Sequence, residues 1–314
     1  MQIVRYTASY KSQWDDFVRG AKNATFLFLR DYMEYHADRF VDASFLFFEQ
    51  EKMVALLPAC IDEKEATLYS HRGLTYGGLI LSNKSSTPQV LHLWETFLQQ
   101  IATDGGIKKV IYKPIPHIYH LQPAEEDLYA LFRSNAQLSA RAVSSVMELD
   151  RLLVPQTLRK RGAKKANRLG VTLHQVEDCT AFWQVLSDTL EQKYAAKPVH
   201  SLLEMKRLHH SFPKEIQFFE ARYRDEVVGG CVVYVSQQVA HMQYIAASPQ
   251  GKSMGALDAL FLYLIEVQYK EMRYIDFGTS VEQGGAYLNE GLIFQKEGFG
   301  ARAVVYDTYE IKLG

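Results

Sequence analysis

The chain has 314 residues, 47% of them hydrophobic, and its 35 Lys and Arg nearly balance its 36 Asp and Glu to give a net charge of −1. That length suits about two domains of roughly 150 residues, each with its own core, and the balanced charge excludes a global pull toward nucleic acid or an anionic surface. The three cysteines, Cys60, Cys179 and Cys231, lie in apolar settings without metal-ligand spacing, an odd, scattered set that reads as reduced packing thiols of a cytoplasmic protein. The N-terminal MQIVRYTASYKSQW has no basic region followed by an apolar run, and no stretch is long enough to span a bilayer. A soluble, cytoplasmic protein is expected.

In chain order, residues 10–19 and 31–40 read as short helices, the second capped by Asp31. Residues 44–49 and 53–60 alternate as a hairpin through Gln50-Glu51-Lys52, and 66–71 forms a third strand. After the turn from His71 to Gly78 come an apolar run at 79–81, an amphipathic helix at 89–102, a strand at 108–112, a helix core at 127–132 and a strand at 142–149. The second half gives helices up to about residue 212, a strand at 216–223, a hairpin through Asp225-Glu226 into 227–235, and a tight turn at Ser236-Gln237-Gln238. In the next strand, 239–246, simple alternation sends His241 and Tyr244 to opposite faces. Pro249, Gln250 and Gly251 stop it. A buried helix at 254–269 lies between Lys252 and Lys270, followed by a strand through Tyr274-Ile275-Asp276-Phe277-Gly278, a Gly-rich loop, a helix ending at Gly298 and a strand at 303–312.

Both halves thus read as helices, an antiparallel meander, then helix, strand, helix, strand, and both carry Phe-Phe-Glu, at 47–49 and 218–220. This order predicts an α/β fold of α+β type built by duplication, with modules at 1–150 and 151–314, each a mixed, mostly antiparallel sheet flanked by helices.

The passage from 239–246 through a Gly-containing turn into a helix leaves backbone N–H groups where a phosphate fits. Gln250, Gly251, Ser253, Gly255 and Ala256 resemble the pyrophosphate loop Q/R-x-x-G-x-G/A of the GNAT acyltransferases, with Ser253 where a middle Gly is usual. Phe294-Gln295-Lys296-Glu297-Gly298-Phe299 resembles the GNAT ending Y-x-x-x-G-F, with Phe294 replacing a Tyr, so that ring has no proton to donate. The tandem arrangement around a basic helix resembles the FemAB-like superfamily, including its BioF2-like acetyltransferase branch. The resemblance implies acyl transfer to an amine, with acetyl-CoA or another acyl-CoA as co-substrate on the second module and none on the first. It implies cofactor contacts from Ile245, Ala246, Gln250, Gly251, Lys252, Ser253, Met254, Gly255 and Ala256, and an amine or amino-sugar acceptor destined for a surface polysaccharide. A tRNA-dependent aminoacyl transferase of the peptidoglycan cross-bridge type and a non-catalytic ligand-binding module are the alternatives.

Along the basic helix, Lys160, Arg161, Lys164, Lys165 and Arg168 fall within an arc of roughly 140°, while Leu158, Ala163, Ala166 and Leu169 fall on the far side. The stripe reads either as a solvated face or as a contact for phosphates of CoA, of a nucleotide- or lipid-linked sugar, or of tRNA. Acyl transfer to an amine needs a base, an oxyanion donor and a proton for the leaving group. Glu282, flanked by glycines, is the first candidate base; Tyr287, seven residues before Phe294 and so on the same helical face, is the candidate proton donor. Asp276 reads as a buried acid satisfied by backbone or by Arg273. Asn289 and Glu290 bind substrate hydroxyls or cap their helix, and His71, Tyr76, His241 and Tyr244 are further substrate-binding candidates. No metal site is expected.

Overall fold

The structure is a computed structural model that describes residues 1–313, apart from the side chain of Tyr194. The chain forms two compact units. Unit 1 comprises Met1–Ala142, Gln283–Ala286 and the chain from Val305 onward; unit 2 comprises Val143–Glu282 and Tyr287–Val304. The units are therefore not sequential halves, since the last strand, Arg302–Lys312, begins in unit 2 and ends in unit 1.

In unit 1 the Phe45–Glu49 and Lys52–Leu57 strands form the expected hairpin, in a 4-stranded sheet with Gln2–Arg5 and Ile80–Leu81. The strand expected over 53–60 is broken at Pro58, which has no N–H for a ladder, and Cys60–Asp62 pairs instead with Thr67–Tyr69. The Thr87–Thr103 helix buries Val90, Leu93, Trp94, Phe97 and Ile101, and Phe45 and Phe47 meet Phe97 edge-on at 5.0 and 5.7 Å. Asp31 is not a cap. The helix is the short Arg30–Met33, continued as a 3-10 turn at Glu34–His36. Its first-turn Arg30 N–H is taken by the Asp15 carboxylate at 2.8 Å, and Asp31 instead pairs with Lys11. A residue distant in sequence supplies the cap that local spacing assigned to Asp31.

In unit 2 the strand order is Thr172–Val176, Ile216–Tyr223, Glu226–Val235, Val239–Ala247, Tyr274–Thr279 and the later part, from Val143, of Gln137–Glu148. Adjacent strands run antiparallel, except that Val239–Ala247 and Tyr274–Thr279 run parallel. The Thr180–Tyr194 helix covers one face and the Ala256–Tyr263 helix the other; the latter continues as a π-helical turn at Leu264–Gln268. Phe-Phe-Glu occupies the first strand of the hairpin in each unit, with the phenylalanines buried. The three cysteines are free and buried, and among the described residues no helix is long and apolar enough to cross a membrane.

The basic helix, Thr157–Leu169, lies against Ala256–Tyr263 at a glycine contact. A Cβ on Gly255 would stand 2.5 Å from the Gly162 carbonyl oxygen, and one on Gly162 would stand 1.8 Å from the Asp258 carboxylate. Gly255 also has φ +80°, which side-chain-bearing residues rarely adopt. Asp258 accepts from Arg159 at 2.7 Å in a mostly buried pair. Gly162→Val is expected to cost about 2–4 kcal/mol by separating the helices and splitting that pair, read as a fall in melting temperature.

Unit 1 also carries a pH sensitivity. Burial holds His71 down to about 3 and His120 down to about 4. Below pH 6.5 the unfolded chain takes up protons that these folded imidazoles refuse, so stability falls with pH. Denaturant melts at pH 7.5 and pH 5 are expected to differ by about 2 kcal/mol for each histidine.

Candidate active site

Asp276 lies on Tyr274–Thr279, between the Val239–Ala247 and Gln137–Glu148 strands, and is fully buried. A buried carboxylate is retained only if it is paired and hydrogen-bonded. Asp276 accepts from the Ser144 hydroxyl, from the Gly278 N–H at 2.8 Å and from His241 Nδ1 at 2.8 Å. The satisfied-acid expectation thus has its partners in Ser144, Gly278 and His241, while Arg273 turns to the Tyr274 ring. Donation from Nδ1 leaves His241 Nε2 as the lone-pair nitrogen, and Nε2 has no hydrogen bond among the described residues. The His241 side chain keeps 13% of its exposure.

The strands part at this pair. The parallel register runs Val239 with Tyr274, Ala240 with Ile275 and His241 with Asp276, and ends there. Beyond it, 242–247 pair only with Glu226–Val235, while the other strand turns at Gly278, φ +75°, and resumes pairing with Gln137–Glu148 at Thr279. The result is a wedge with peptide edges on both sides and His241–Asp276 at its apex.

A bulge decides what faces the wedge. Tyr244 pairs with Val232 and Met242 with Val233, so Gln243 is an extra residue. Met242 and Ile245 pack on the Ala256–Tyr263 side, whereas His241, opposite Tyr234, and Tyr244, opposite Val232, share the other face. The expectation that His241 and Tyr244 face opposite ways assumed unbroken alternation and is corrected by that bulge. The Tyr244 hydroxyl shares a hydrogen bond with His200 Nδ1 at 2.6 Å, the ring contacts Trp183 edge-on at 5.2 Å, and burial pushes the phenol up to about 12. Trp183 and His200 line a cleft of about 550 Å³ with Ser187, Glu191, Val199 and Glu204.

Lys296, which the sequence pattern does not single out, is a buried cation beside this pair. Its ammonium donates to the Gly278 and Thr279 carbonyls at 2.8 and 3.1 Å and to the Ser280 hydroxyl at 2.8 Å. Burial lowers it to about 8, against an upward pull from Asp276. The available signal is its place two residues before Gly298, inside the Phe294 to Phe299 motif and on a short helix otherwise read for Phe294 alone.

The other predicted residues fall as follows. Glu282 and Tyr287 are direct partners across a two-stranded hairpin, Val281–Glu282 with Tyr287–Leu288, and both are exposed. Tyr287 is therefore on a strand. The shared-face argument with Phe294 fails because Asn289 caps the helix, accepting from Leu292 N–H at 3.2 Å, so the helix begins at Glu290. Asn289 also donates to Glu282 at 3.4 Å, and Glu290 is exposed in the first turn. His71 and Tyr76 are buried in unit 1, His71 stacked on His36 at 5.1 Å and Tyr76 bonded to Thr25, which leaves neither ring a face for substrate.

The Gln250 to Ala256 turn is more closed than its glycines suggested. Ser248 caps a short Pro249–Met254 helix through Gly251 N–H at 3.1 Å. A Cβ on Gly251 would stand 1.9 Å from the Val228 carbonyl oxygen, and Gly255 serves the helix contact described above. Gln250, Lys252 and Ser253 are exposed, Met254 and Ala256 buried, Ile245 partly buried, and Ala246 buried opposite Gly230. Lys165 donates to the Ser253 carbonyl at 2.6 Å, so the basic helix and the turn adjoin. Lys160, Arg161, Lys164 and Arg168 are exposed with no acidic partner among the described residues. Leu158 and Leu169 are exposed beside them, and only Ala163 and Ala166 form the buried seam. Among the described residues no group of three or more His, Cys, Asp or Glu could hold a metal ion.

Residues 156–287 match the acetyltransferase (GNAT) domain family. Among solved structures, FemX is similar over 99% of this chain and 97% of its own, with a TM-score of 0.69 at 10% identity. L-PGS from Bacillus licheniformis is similar over 98% and 92%, TM-score 0.59 at 13% identity. The tandem GNAT protein of the clavulanic acid biosynthesis pathway is similar over 100% and 98%, TM-score 0.52 at 12% identity. No curated protein matches by sequence. The chain has a tandem GNAT fold, and its GNAT domain match lies almost wholly in unit 2.

The geometry ties Asp276 to the orientation of His241. Asp276→Asn, which cannot accept from Ser144, Gly278 and His241 together in the same way, is expected to free the His241 ring, seen as altered imidazole shifts by NMR with the fold retained.

Proposed function

We propose that this protein is a cytoplasmic N-acyltransferase that uses acetyl-CoA or another acyl-CoA and acts on an amine acceptor through unit 2. The carrying observation is the wedge between the two parallel strands, with a carboxylate-held histidine at its apex. Unpaired strand edges take up an extended chain through its amides, and the pantetheine arm of CoA carries two amides and ends in the thioester. Laid along the 242–247 edge, it would bring the acyl carbon toward His241, while Asp276 and Lys296 already take the polar groups of 278–279. The turn at Gln250 and Ser253, with Lys165 and Lys252, is the complementary place for the pyrophosphate.

His241 Nε2 accepts the proton as the acceptor nitrogen bonds to the acyl carbon, and Asp276 stabilises the imidazolium. The imidazolium then returns the proton to sulfur as the carbon–sulfur bond breaks. Lys296 is a positioning residue: it holds the 278–280 segment away from the facing strand and puts a cation near the carboxylate. Glu282 and Tyr287, paired on the exposed hairpin, are acceptor contacts in this reading, as is the Trp183 cleft on the face that carries His241. An amino sugar suits that cleft, because an aromatic plane and carboxylates bind sugar rings and hydroxyls.

The second reading, aminoacyl transfer from tRNA, is supported by the fold likeness to FemX and by the basic helix. Titration calorimetry separates the two: saturable acetyl-CoA binding supports the first, whereas silence with CoA and salt-sensitive tRNA binding supports the second.

With a competent acceptor, His241→Gln is expected to lower kcat/KM by about 10²–10⁴ while acetyl-CoA binding persists. Because Lys296 releases its proton near pH 8, kcat/KM is expected to fall above that pH. Lys296→Arg, charged throughout, should move the falling limb upward. An unmoved limb would remove Lys296 from this role.

A further inference from the structure

The stretch from Arg151 to Gly170 contains seven Lys or Arg and no Asp, Glu, Phe, Tyr or Trp, in a chain whose net charge is −1. Its apolar residues do not all turn inward. Leu152, Leu153 and Val154 are 52%, 44% and 78% exposed on the segment leading into the basic helix, and Leu158 and Leu169 are 51% and 40% exposed on the helix itself. Three consecutive exposed apolar residues are a cost that a protein surface ordinarily avoids. The segment is not loose, since Gln156 N–H donates to the Gly298 carbonyl at 2.8 Å and the Leu153 carbonyl closes on Gly300. At 100° per residue, Leu158 and Leu169 lie within about 60–100° of Arg161 and Arg168, so aliphatic tips and cations share one outward side.

We propose that Leu152 to Leu169 docks unit 2 on an anionic phospholipid surface, with Leu152, Leu153, Val154 and Leu158 entering the acyl boundary and Lys160, Arg161, Lys164 and Arg168 meeting lipid phosphates. Charge complementarity selects the partner: cations without acidic neighbours fit an anionic plane, and aliphatic side chains gain by leaving water at that plane. RNA would use the cations but not the leucines, and single-stranded RNA is held on aromatic platforms that this stretch lacks. Such docking would give the enzyme access to acceptors carried by membrane lipids. It does not depend on the acyl-transfer reading.

The test is flotation of the full chain with vesicles of phosphatidylcholine alone and of phosphatidylcholine mixed equally with phosphatidylglycerol, at low and moderate salt, with bulk tRNA as a competitor. Binding is expected on the anionic vesicles, at least about 10-fold stronger than on the neutral ones and weakened by salt. Leu152→Ser with Val154→Ser should lose most of it without a change in melting temperature or in acetyl-CoA binding. Lys160→Gln with Lys164→Gln should weaken it about 10-fold. Equal flotation with both vesicle types, no flotation, or binding untouched by the two serine substitutions would overturn the proposal. Displacement by tRNA with the serine variant still binding tRNA fully would assign the surface to RNA.

Discussion

The arrangement of unit 2 turns on one buried carboxylate. Asp276 has no solvent to share its charge, so its neighbours must supply every interaction, and they come from three strands: Ser144, His241 and the Gly278 N–H. Satisfying them fixes the strand order locally, orients the imidazole and turns the chain at Gly278 where the two parallel strands separate. Removing any one donor leaves part of a buried charge uncompensated, a cost larger than a typical surface contact. The site and the fold therefore share one energetic origin. The opening between the strands is the direct outcome of pairing that ends at the residue where that charge is held.

The glycines of the 250–256 turn show how one residue type serves two ends. In sequence they suggest a backbone ready to approach a phosphate; in the structure both are already consumed by close approach to protein, Gly251 to Val228 and Gly255 to Gly162. What remains for an anion is the rim: Gln250, Lys252, Ser253 and the Lys165 that reaches across from the basic helix. The packing explains why a serine stands acceptably at 253. The side chain there makes an exposed bond to the Gln250 carbonyl, whereas the nearby glycines 251 and 255 have no room for a side chain.

Burial also sets the titration behaviour. Lys296 donates hydrogen bonds to neutral carbonyl partners and is drawn toward deprotonation by desolvation, with Asp276 opposing. Its charge thus changes near pH 8, and the 278–280 segment that it pins is linked to that change. The histidines of unit 1 respond in the opposite region of pH and through a plainer cause, since His71 stacks on His36 within an apolar shell.

Most of the element order was legible from local pattern, because strand alternation and helical periodicity depend on near neighbours. Ile216–Tyr223 and the basic helix follow from such spacing, as does the resemblance to tandem GNAT modules. The errors lie where a distant residue or an extra one intervenes. Asp15 took the cap expected of Asp31, Pro58 divided a strand, and the bulge at Gln243 moved Tyr244 to the face of His241. Lys296 and Ser144 could not be joined to Asp276 from sequence, since they stand 20 and 132 residues away and only the sheet brings them together. The sequence by itself determined the elements, the tandem order and the cationic stripe; the tertiary structure alone decided which glycines were spent on packing, which leucines stayed outside and which charged groups met, because those outcomes depend on contacts between segments whose spacing in the chain carries no record of them.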